Sequence, residues 1–281
     1  MRNHKESLMK KFVLTETTKE FFGITLFRIK AARDFADIKE GELGGWVEKE
    51  ENLDAEGNAW IYGDAQVSGD ARVSGDARVS GDARVYGNAW VYGNAWVYGN
   101  AQVYGDARIY GNAHVYGNAR ISGNAQVSGG AWIYGGAWIY GDARIYDDAR
   151  IYGNARVSGN ARISGNAQVS GDAWIYGGAW IYCDARISGD AQVSGDAQVQ
   201  TFKHIAWFSS VGSKSGTLTA YTIKTGEIEV TRGCFRGTID EFEAAVKERH
   251  DSSRYAEEYL VLVQFIRLRF REVAVEEEAT A

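Results

Sequence analysis

The repeat that decides the fold is plainest at residues 87–98, which read Gly-Asn-Ala-Trp-Val-Tyr-Gly-Asn-Ala-Trp-Val-Tyr. From Gly57 to Gln200 the chain follows this six-residue unit, Gly-(Asp/Asn)-Ala-x-(Val/Ile)-(Tyr/Ser), through 24 units in 144 residues without an insertion. Asp147 and Cys183 each replace the glycine of one unit. Self-similarity at a short, fixed period is the signature of a solenoid.

The chemistry of one unit predicts a short strand followed by a corner. Ala and Val/Ile lie two positions apart and therefore point to the same side of a strand, whereas the residue between them points to the other side. Gly followed by Asp or Asn tolerates the left-handed backbone angles that a corner needs. Three strands close one coil, and parallel pairing stacks the coils, so the 24 units predict eight coils.

This pattern resembles the hexapeptide-repeat family, whose members form left-handed parallel β-helices. The resemblance rests on the small row (Ala59, Ala65, Ala71 and onward) and on the aliphatic row (Ile61, Val67, Val73 and onward). It implies a mainly β fold of about eight three-strand coils. The left hand comes from the resemblance alone, since the usual crossover rule favours the opposite hand.

Both flanks of the repeat differ from it in composition. We expect residues 1–52 to form an N-terminal β cap, with strands at 12–14 and 25–29 around a turn at Phe22-Gly23, because an open solenoid end exposes unpaired backbone. Residues 41–48 then lead into the solenoid, which we place at residues 53–200.

Residues 201–281 predict a small α+β module. Strands are expected at 204–208, 217–223 and 227–231, and Thr238 with Glu241 forms a capping box that opens a helix. Apolar residues at helical spacing predict a second helix over 255–270. The module could cap the solenoid, bind a partner, or do both.

The three-part arrangement resembles uncharacterised hexapeptide-repeat proteins encoded by bacterial prophages. The matching segments are Gly-Glu-Leu-Gly-Gly-Trp-Val-Glu at residues 41–48 and Arg-Gly-Cys-Phe-Arg-Gly-Thr at residues 232–238. The resemblance implies a phage or mobile-element context and supplies no activity.

Composition excludes several classes of protein. The formal net charge of −6 argues against general nucleic-acid binding, and no apolar run is long enough to span a membrane. The polar start of the chain, Met1 to Lys11, has no apolar signal segment, and two cysteines make no disulfide framework. We therefore expect a cytoplasmic protein.

The main enzymatic alternative is a CoA-dependent acyltransferase, because many hexapeptide-repeat proteins have that activity. Those enzymes use a basic histidine and a loop that protrudes from the coils. His114 is the only histidine in the repeats, and no loop interrupts them. Neither Cys183 nor Cys234 has a histidine nearby in sequence. We predict no catalytic residue, no metal ligand and no cofactor.

The residues predicted to face outward are the part of the sequence that indicates a function. The variable position holds ten Arg, seven Trp, six Gln and one His, and residues 57–200 contain no Lys or Glu. This composition is typical of binding hot spots and not of a plain solubilising surface. Residues eighteen apart are expected to stack, and the predicted binding residues on one face are Trp60, Arg78, Trp96, Tyr98, His114, Tyr116, Trp132, Tyr134 and Arg150.

The resulting hypothesis is a non-enzymatic protein that binds a macromolecule, with a host protein such as a defence component as the expected partner. Exposed aromatic faces would also suit a homo-oligomer. Glycan binding and a structural role in a phage particle form the first alternative, and the acyltransferase the second. A further alternative is that Arg and Trp stack on one another only to stabilise the coils.

Overall fold

A computed structural model describes residues 10–278 of the chain, with side chains as far as residue 271. It is a parallel β-solenoid of about nine turns, preceded by N-terminal strands and followed by a small C-terminal part that contains helices. The chain divides into two compact units, Met1–Gly135 and Gly136–Ala281, called unit 1 and unit 2 below.

Unit 1 begins with the expected hairpin. Strands β1 (Phe12–Phe21) and β2 (Ile24–Ala31) pair antiparallel, and the turn between them places Phe22 and Gly23 at positive φ. Strand β3 (Leu43–Val47) and a 3₁₀ helix (Glu50–Asn52) follow. The next strands have two residues each, and β4 to β16 are Trp60–Ile61, Gln66–Val67, Arg72–Val73, Arg78–Val79, Arg84–Val85, Trp90–Val91, Trp96–Val97, Gln102–Val103, Arg108–Ile109, His114–Val115, Arg120–Ile121, Gln126–Val127 and Trp132–Ile133.

The predicted number of eight coils is one too few, because residues 43–53 are themselves part of a coil. Val47 pairs with Val67 in a parallel ladder, and Leu53 bridges to Val73. These partners lie twenty residues apart instead of eighteen, since two extra residues occur between Leu53 and Ile61. The irregular spacing hides this turn from a search for the six-residue period.

The register within the repeats follows the predicted eighteen-residue offset. Trp96, for example, aligns with Arg78 on one side and His114 on the other. The alanine and Val/Ile rows are fully buried along the solenoid and form its core. Side chains at the corners also form ladders, as where the Asn94 Nδ2 donates to Asn112 Oδ1 at 3.1 Å.

Donor side chains satisfy the backbone at the start of the solenoid. Each coil donates its N–H groups to the carbonyls of the following coil, so carbonyls at the start of the solenoid lack a backbone donor from a regular preceding coil. The buried Lys11 ammonium donates to the carbonyls of Glu56 at 2.8 Å and Ala59 at 2.9 Å. The Asn52 Nδ2 donates to the carbonyls of Gly69 and Ala71 at 3.0 and 2.9 Å. Side chains near the N-terminus therefore satisfy carbonyls where the solenoid begins.

Unit 2 continues the repeats and then changes fold. Its solenoid strands β17 to β27 are Trp138–Ile139, Arg144–Ile145, Arg150–Ile151, Arg156–Val157, Arg162–Ile163, Gln168–Val169, Trp174–Ile175, Trp180–Ile181, Arg186–Ile187, Gln192–Val193 and Gln198–Val199. A 3₁₀ helix (Phe202–His204) leads to four antiparallel strands, which are β28 (Ile205–Val211), β29 (Gly216–Thr222), β30 (Ile228–Arg232) and β31 (Phe235–Thr238). Helices α1 (Ile239–His250) and α2 (Arg254–Glu278) complete the unit.

The C-terminal module caps the last coil of the solenoid. Its four-stranded sheet packs its apolar side against α1 and α2 in a buried cluster that includes Leu218, Val230, Phe242 and Ile266. Hydroxyl groups on the sheet meet the last coil, where Thr219 Oγ1 accepts from the Gln192 N–H at 3.0 Å and Tyr221 Oη accepts from the Ser194 N–H at 3.3 Å. The capping box of Thr238 and Glu241 opens α1 as expected, whereas strand β31 was not among the predicted strands.

Candidate functional site

The predicted column of outward residues exists in unit 1. Trp60, Arg78, Trp96, His114 and Trp132 occupy equivalent positions of β4, β7, β10, β13 and β16, and each aligns with the next in a parallel ladder. The vertical order of these side chains is therefore the order that the eighteen-residue spacing predicts.

Trp60 does not belong to the exposed face, and its assignment to the binding surface is wrong. Its side chain is fully buried, and its ring packs edge to face on Phe35 with 5.4 Å between centroids. A Cβ on Gly44 would lie 2.6 Å from the Trp60 ring, so glycine is needed there for the N-terminal segment to pass over the indole. Trp60 is a core residue beneath the N-terminal cap.

Arg78 marks the boundary between the cap and the open surface. Its guanidinium donates to both carboxylate oxygens of Asp37, at 3.1 and 3.3 Å. The same guanidinium lies 5.3 Å from the centroid of the Trp96 ring, within the range of a cation–π contact. Arg78 therefore packs over the Trp96 ring and is itself held in place by Asp37 of the N-terminal segment.

Six stacked side chains form the exposed surface that we call the aromatic face, which comprises Trp96, Tyr98, His114, Tyr116, Trp132 and Tyr134. The three tyrosine rings stack almost parallel, with centroid distances of 4.8 and 5.0 Å and interplanar angles of 3° and 6°. Beside them, His114 lies 5.6 Å from Trp96 and 5.0 Å from Trp132, centroid to centroid. Trp96 and Trp132 remain 42% and 41% exposed.

The aromatic face carries no charge at neutral pH. Partial burial of the imidazole between its neighbours lowers the pKa of His114 below its ordinary value of 6.5. A histidine with a lowered pKa is neutral at pH 7. The six side chains thus present rings, hydroxyls and indole N–H groups without a net charge.

Arg150 is the one predicted binding residue that lies outside unit 1. Arg150 belongs to unit 2, where it aligns with Gln168. Other exposed tryptophans contact the tyrosine two residues later, at centroid distances of 4.8 to 5.0 Å: Trp90 with Tyr92, Trp138 with Tyr140, Trp174 with Tyr176 and Trp180 with Tyr182. Tyr92 in turn stacks on Tyr110 at 5.0 Å. The aromatic face differs from these pairs because its rings extend across three coils.

A cleft that the sequence did not indicate lies in unit 1, beside the tip of the N-terminal hairpin. It has a volume of about 310 Å³ and is lined by Phe21, Phe22, Arg84 and Tyr86, among others. The Arg84 guanidinium lies 4.6 Å from the Phe21 ring centroid. Because this cleft needs the hairpin tip to approach the solenoid, no pattern within the repeat predicts it.

Both cysteines belong to unit 2 and are free thiols. Cys183 is exposed at a corner with φ of 52°, where the Gln200 side-chain amide donates to its Sγ at 3.7 Å. Cys234 is exposed in the turn between β30 and β31. Within residues 10–278, no three His, Cys, Asp or Glu side chains come close enough together to hold a metal ion, and no helix is long and apolar enough to cross a membrane.

The buried rows, the register and the glycine corners define a parallel β-solenoid protein that displays aromatic rings on its surface. A model of the YdcK β-solenoid repeat matches the chain at residues 65–81, 77–93, 83–99, 89–105, 101–117, 119–135, 149–165 and 161–177. A comparison with curated proteins finds no match to the chain. The matched repeats support the β-solenoid fold, while the hexapeptide-repeat family and the prophage origin stay predictions.

Proposed function

We propose that the protein is a non-enzymatic binding protein whose aromatic face binds another protein. The observation that carries the proposal is that Trp96 and Trp132 remain 42% and 41% exposed although the stack of rings holds them in place. Large aromatic side chains at a surface are the usual anchors of protein interfaces. The solenoid positions these anchors on strands that are hydrogen-bonded from coil to coil, as where the Trp96 N–H donates to the Ala113 carbonyl at 2.9 Å.

Rigidity makes such a surface effective. Binding normally costs about 0.5–1.5 kcal/mol for each flexible side chain that becomes ordered. The rings of Tyr98, Tyr116 and Tyr134 are already ordered by stacking on one another. A partner that contacts the aromatic face therefore loses little of its binding free energy to ordering of this protein.

The charge pattern also fits an interface. The centre of the aromatic face is neutral, and Arg78 lies at its edge with its charge compensated by Asp37. Interface cores are enriched in aromatic residues and depleted of Lys and Glu, and their rims are polar. Contacts between the rings also stabilise the coils. This stabilising role is compatible with binding, because the exposed parts of the indoles make no contact within the stack and stay available to a partner.

The acyltransferase alternative depends on His114 as a base. In the structure this imidazole packs between Trp96 and Trp132, and its lowered pKa reflects partial burial. Exchange of His114 for Ala separates the two functions, because binding should change less than it does on removal of either indole. Acyl-CoA turnover that disappears in H114A would support the enzyme instead.

The finer parts of the proposal rest on resemblance. A phage origin favours a bacterial host protein as the partner, located in the cytoplasm, and a defence component is the partner whose obstruction would benefit a phage. The mechanism would be steric occlusion of that protein by the aromatic face. A second copy of the chain is the simplest other protein partner.

The experiment is capture of binding proteins from a bacterial lysate on the immobilised full chain, followed by affinity measurement with the captured protein after purification. The Trp96→Ala/Trp132→Ala variant should bind at least about a hundredfold more weakly, since each hot-spot truncation typically costs about 2 kcal/mol or more. Trp138→Ala/Trp174→Ala is the matched control, because both indoles are 36% exposed but lie outside the aromatic face.

The outcomes separate the alternatives. Equal affinity of both double variants and the unmodified chain would overturn the aromatic face as the site. Loss of binding with an unchanged thermal melt would support it, whereas loss of binding together with a collapsed melt would assign the rings to stability. Retention of glycans, but of no protein, would favour the glycan alternative.

A further inference from the structure

The C-terminal module of unit 2 contains a cavity that neither the sequence nor the proposed function explains. It has a volume of about 220 Å³ and opens between the turn at Ser213-Lys214, the turn at Gly233-Cys234 and helix α1. Its apolar lining comes from Phe235, Phe242, Val246 and Tyr259, of which the last three are buried. Its polar lining comes from Lys214, Arg232, Arg249 and His250.

Positive charge is the second property of this cavity. Lys214, Arg232 and Arg249 come from three different segments of the chain and converge on a small volume. None of the described residues that line it is acidic. The acid beside the turn, Glu258, accepts a hydrogen bond from the Gly212 N–H at 3.3 Å. Concentration of one charge sign in an acidic protein, around an apolar floor, indicates a ligand of the opposite sign.

Arg232 is held in place before any ligand arrives. Its Nη2 donates to the Val211 carbonyl at 2.8 Å, and its guanidinium lies 5.9 Å from the Tyr259 ring centroid. A Cβ on Gly216 would lie 2.5 Å from Arg232 Nη1, so glycine at that position leaves room for the guanidinium. Its Nε is buried and has no hydrogen-bond partner among the described residues. An arginine fixed in this way is suited to anion recognition.

We propose that this cavity is a binding site for a small aromatic carboxylate. The floor formed by Phe242 and Tyr259 takes the ring, and the cations at the rim take the carboxylate. The volume suits one ring and its substituent, because a cavity of about 150 Å³ already holds benzene. The site is independent of the aromatic face and requires no partner protein.

The two cysteines allow a test within one chain, since Cys234 lines the cavity and Cys183 is exposed at a solenoid corner far along the sequence. The probe is 5,5′-dithiobis(2-nitrobenzoate), an aromatic carboxylate that reacts with thiols, and 2,2′-dithiodipyridine is its uncharged counterpart. The measured quantity is the rate of reaction with 5,5′-dithiobis(2-nitrobenzoate) divided by the rate of reaction with 2,2′-dithiodipyridine. It is determined for Cys234 in the C183S chain and for Cys183 in the C234S chain.

We expect this ratio to be roughly tenfold higher at Cys234 than at Cys183, the lower end of the effect of a focused positive cleft. Lys214→Ala/Arg249→Ala should remove most of the difference, whereas Lys224→Ala/Arg254→Ala, which removes two exposed cations that do not line the cavity, should preserve it. Thermal melts of all variants establish that the module remains folded.

Competition by an unreactive ligand distinguishes a binding site from a positive electrostatic potential that merely attracts the reagent. Benzoate should slow the reaction of Cys234 with saturation, leave Cys183 unaffected, and protect more strongly than benzyl alcohol at equal concentration. Protection without saturation, equal protection by benzyl alcohol, or equal rate ratios at the two cysteines would each overturn the proposal.

Discussion

Within a single six-residue unit, neighbouring residues have opposite environments. Ala113 and Val115 are fully buried, whereas His114 between them reaches the surface. This alternation follows from strand geometry, in which successive side chains point to opposite faces. The effect of a substitution on stability therefore depends more on whether its position faces the core or the surface than on the chemistry of the new side chain.

Val115→Asp is expected to destabilise the protein by several kcal/mol, because it places an unpaired carboxylate in a closed apolar row. Gln126→Asp is the matched control, since Gln126 occupies the outward position of a nearby strand and is half-buried. Its cost should stay within about 0.5 kcal/mol. Urea unfolding of the two variants measures the difference, and equal midpoints would contradict the coil register.

Lys11 predicts an unusual dependence of stability on pH. Burial lowers the pKa of Lys11 from its ordinary value of 10.5 to about 8, although Asp54 partly opposes the shift. Between these values the folded chain binds fewer protons than the unfolded chain, so the free energy of unfolding should rise with pH. We expect a gain of order 1–3 kcal/mol between about pH 7.5 and 9.5.

Urea unfolding at the two pH values measures this gain, and Lys11→Arg is the control. A guanidinium can still donate to the Glu56 and Ala59 carbonyls but stays charged across the range, so most of the rise should disappear. The part that remains comes from Lys19, whose pKa is also lowered by burial. An equal rise in K11R would assign it to other groups. Tyrosines such as Tyr98, whose pKa is raised by burial, act in the opposite direction and only at higher pH.

Within one coil, the corners restrict which residues can occur at their positions as strongly as the strands do. The corner glycines have positive φ, and most of them lie directly against the backbone of the glycine one coil later. Asp147 is tolerated at a corner with φ of 57° because its carboxylate accepts from the Gly165 N–H at 3.0 Å. A residue without such a bond would carry the strain uncompensated.

Gly153→Ala should therefore destabilise the solenoid more than Gly63→Ala. Both positions have positive φ, 70° and 58°, and share a strain cost of about 1–2 kcal/mol. A Cβ on Gly153 would lie 2.8 Å from the Gly171 nitrogen, whereas the nearest atom to a Cβ on Gly63 is 4.0 Å away. Crowding should add about 1–3 kcal/mol at Gly153 alone. Thermal melts compare the pair, and equal losses would exclude crowding.

At the scale of the whole molecule, the two ends of the parallel ladder need opposite chemistry. The opening coils present carbonyl acceptors and meet donors from the side chains of Lys11 and Asn52. The last coil presents N–H donors and meets hydroxyl oxygens of Thr219 and Tyr221. Each cap is thus matched to the direction of the ladder and could not replace the other.

A chain that ends at Gln200 should lose stability and self-associate at micromolar concentration. Removal of the C-terminal module uncovers the apolar side chains of the last coil and leaves the N–H groups of Gln192 and Ser194 as an open edge. A chain that ends at Arg271 keeps the module and serves as control. Light scattering after gel filtration measures the mass, and a stable monomer ending at Gln200 would contradict the capping role.

Much of the fold was predictable because it is local. The six-residue period specified which rows are buried, which corners need glycine and which outward residues align, as Trp96 with His114 and Arg144 with Arg162. These properties depend only on strand parity and on a constant coil length, and both are visible in the sequence. The capping box of Thr238 and Glu241 is equally local, and the structure contains it.

Which outward residues are accessible depends on contacts made in the folded chain. Trp60 has the same position in its unit as Trp96, yet the segment that contains Phe35 and Gly44 covers it completely. The turn of solenoid before the regular repeats, the clamp of Arg78 by Asp37 and the basic cavity also depend on segments outside the repeat. The coil follows from the repeat alone, because each unit contains its own strand and corner. The contacts at the two ends of the solenoid could not be predicted in this way. They join residues that are tens of positions apart and share no sequence pattern.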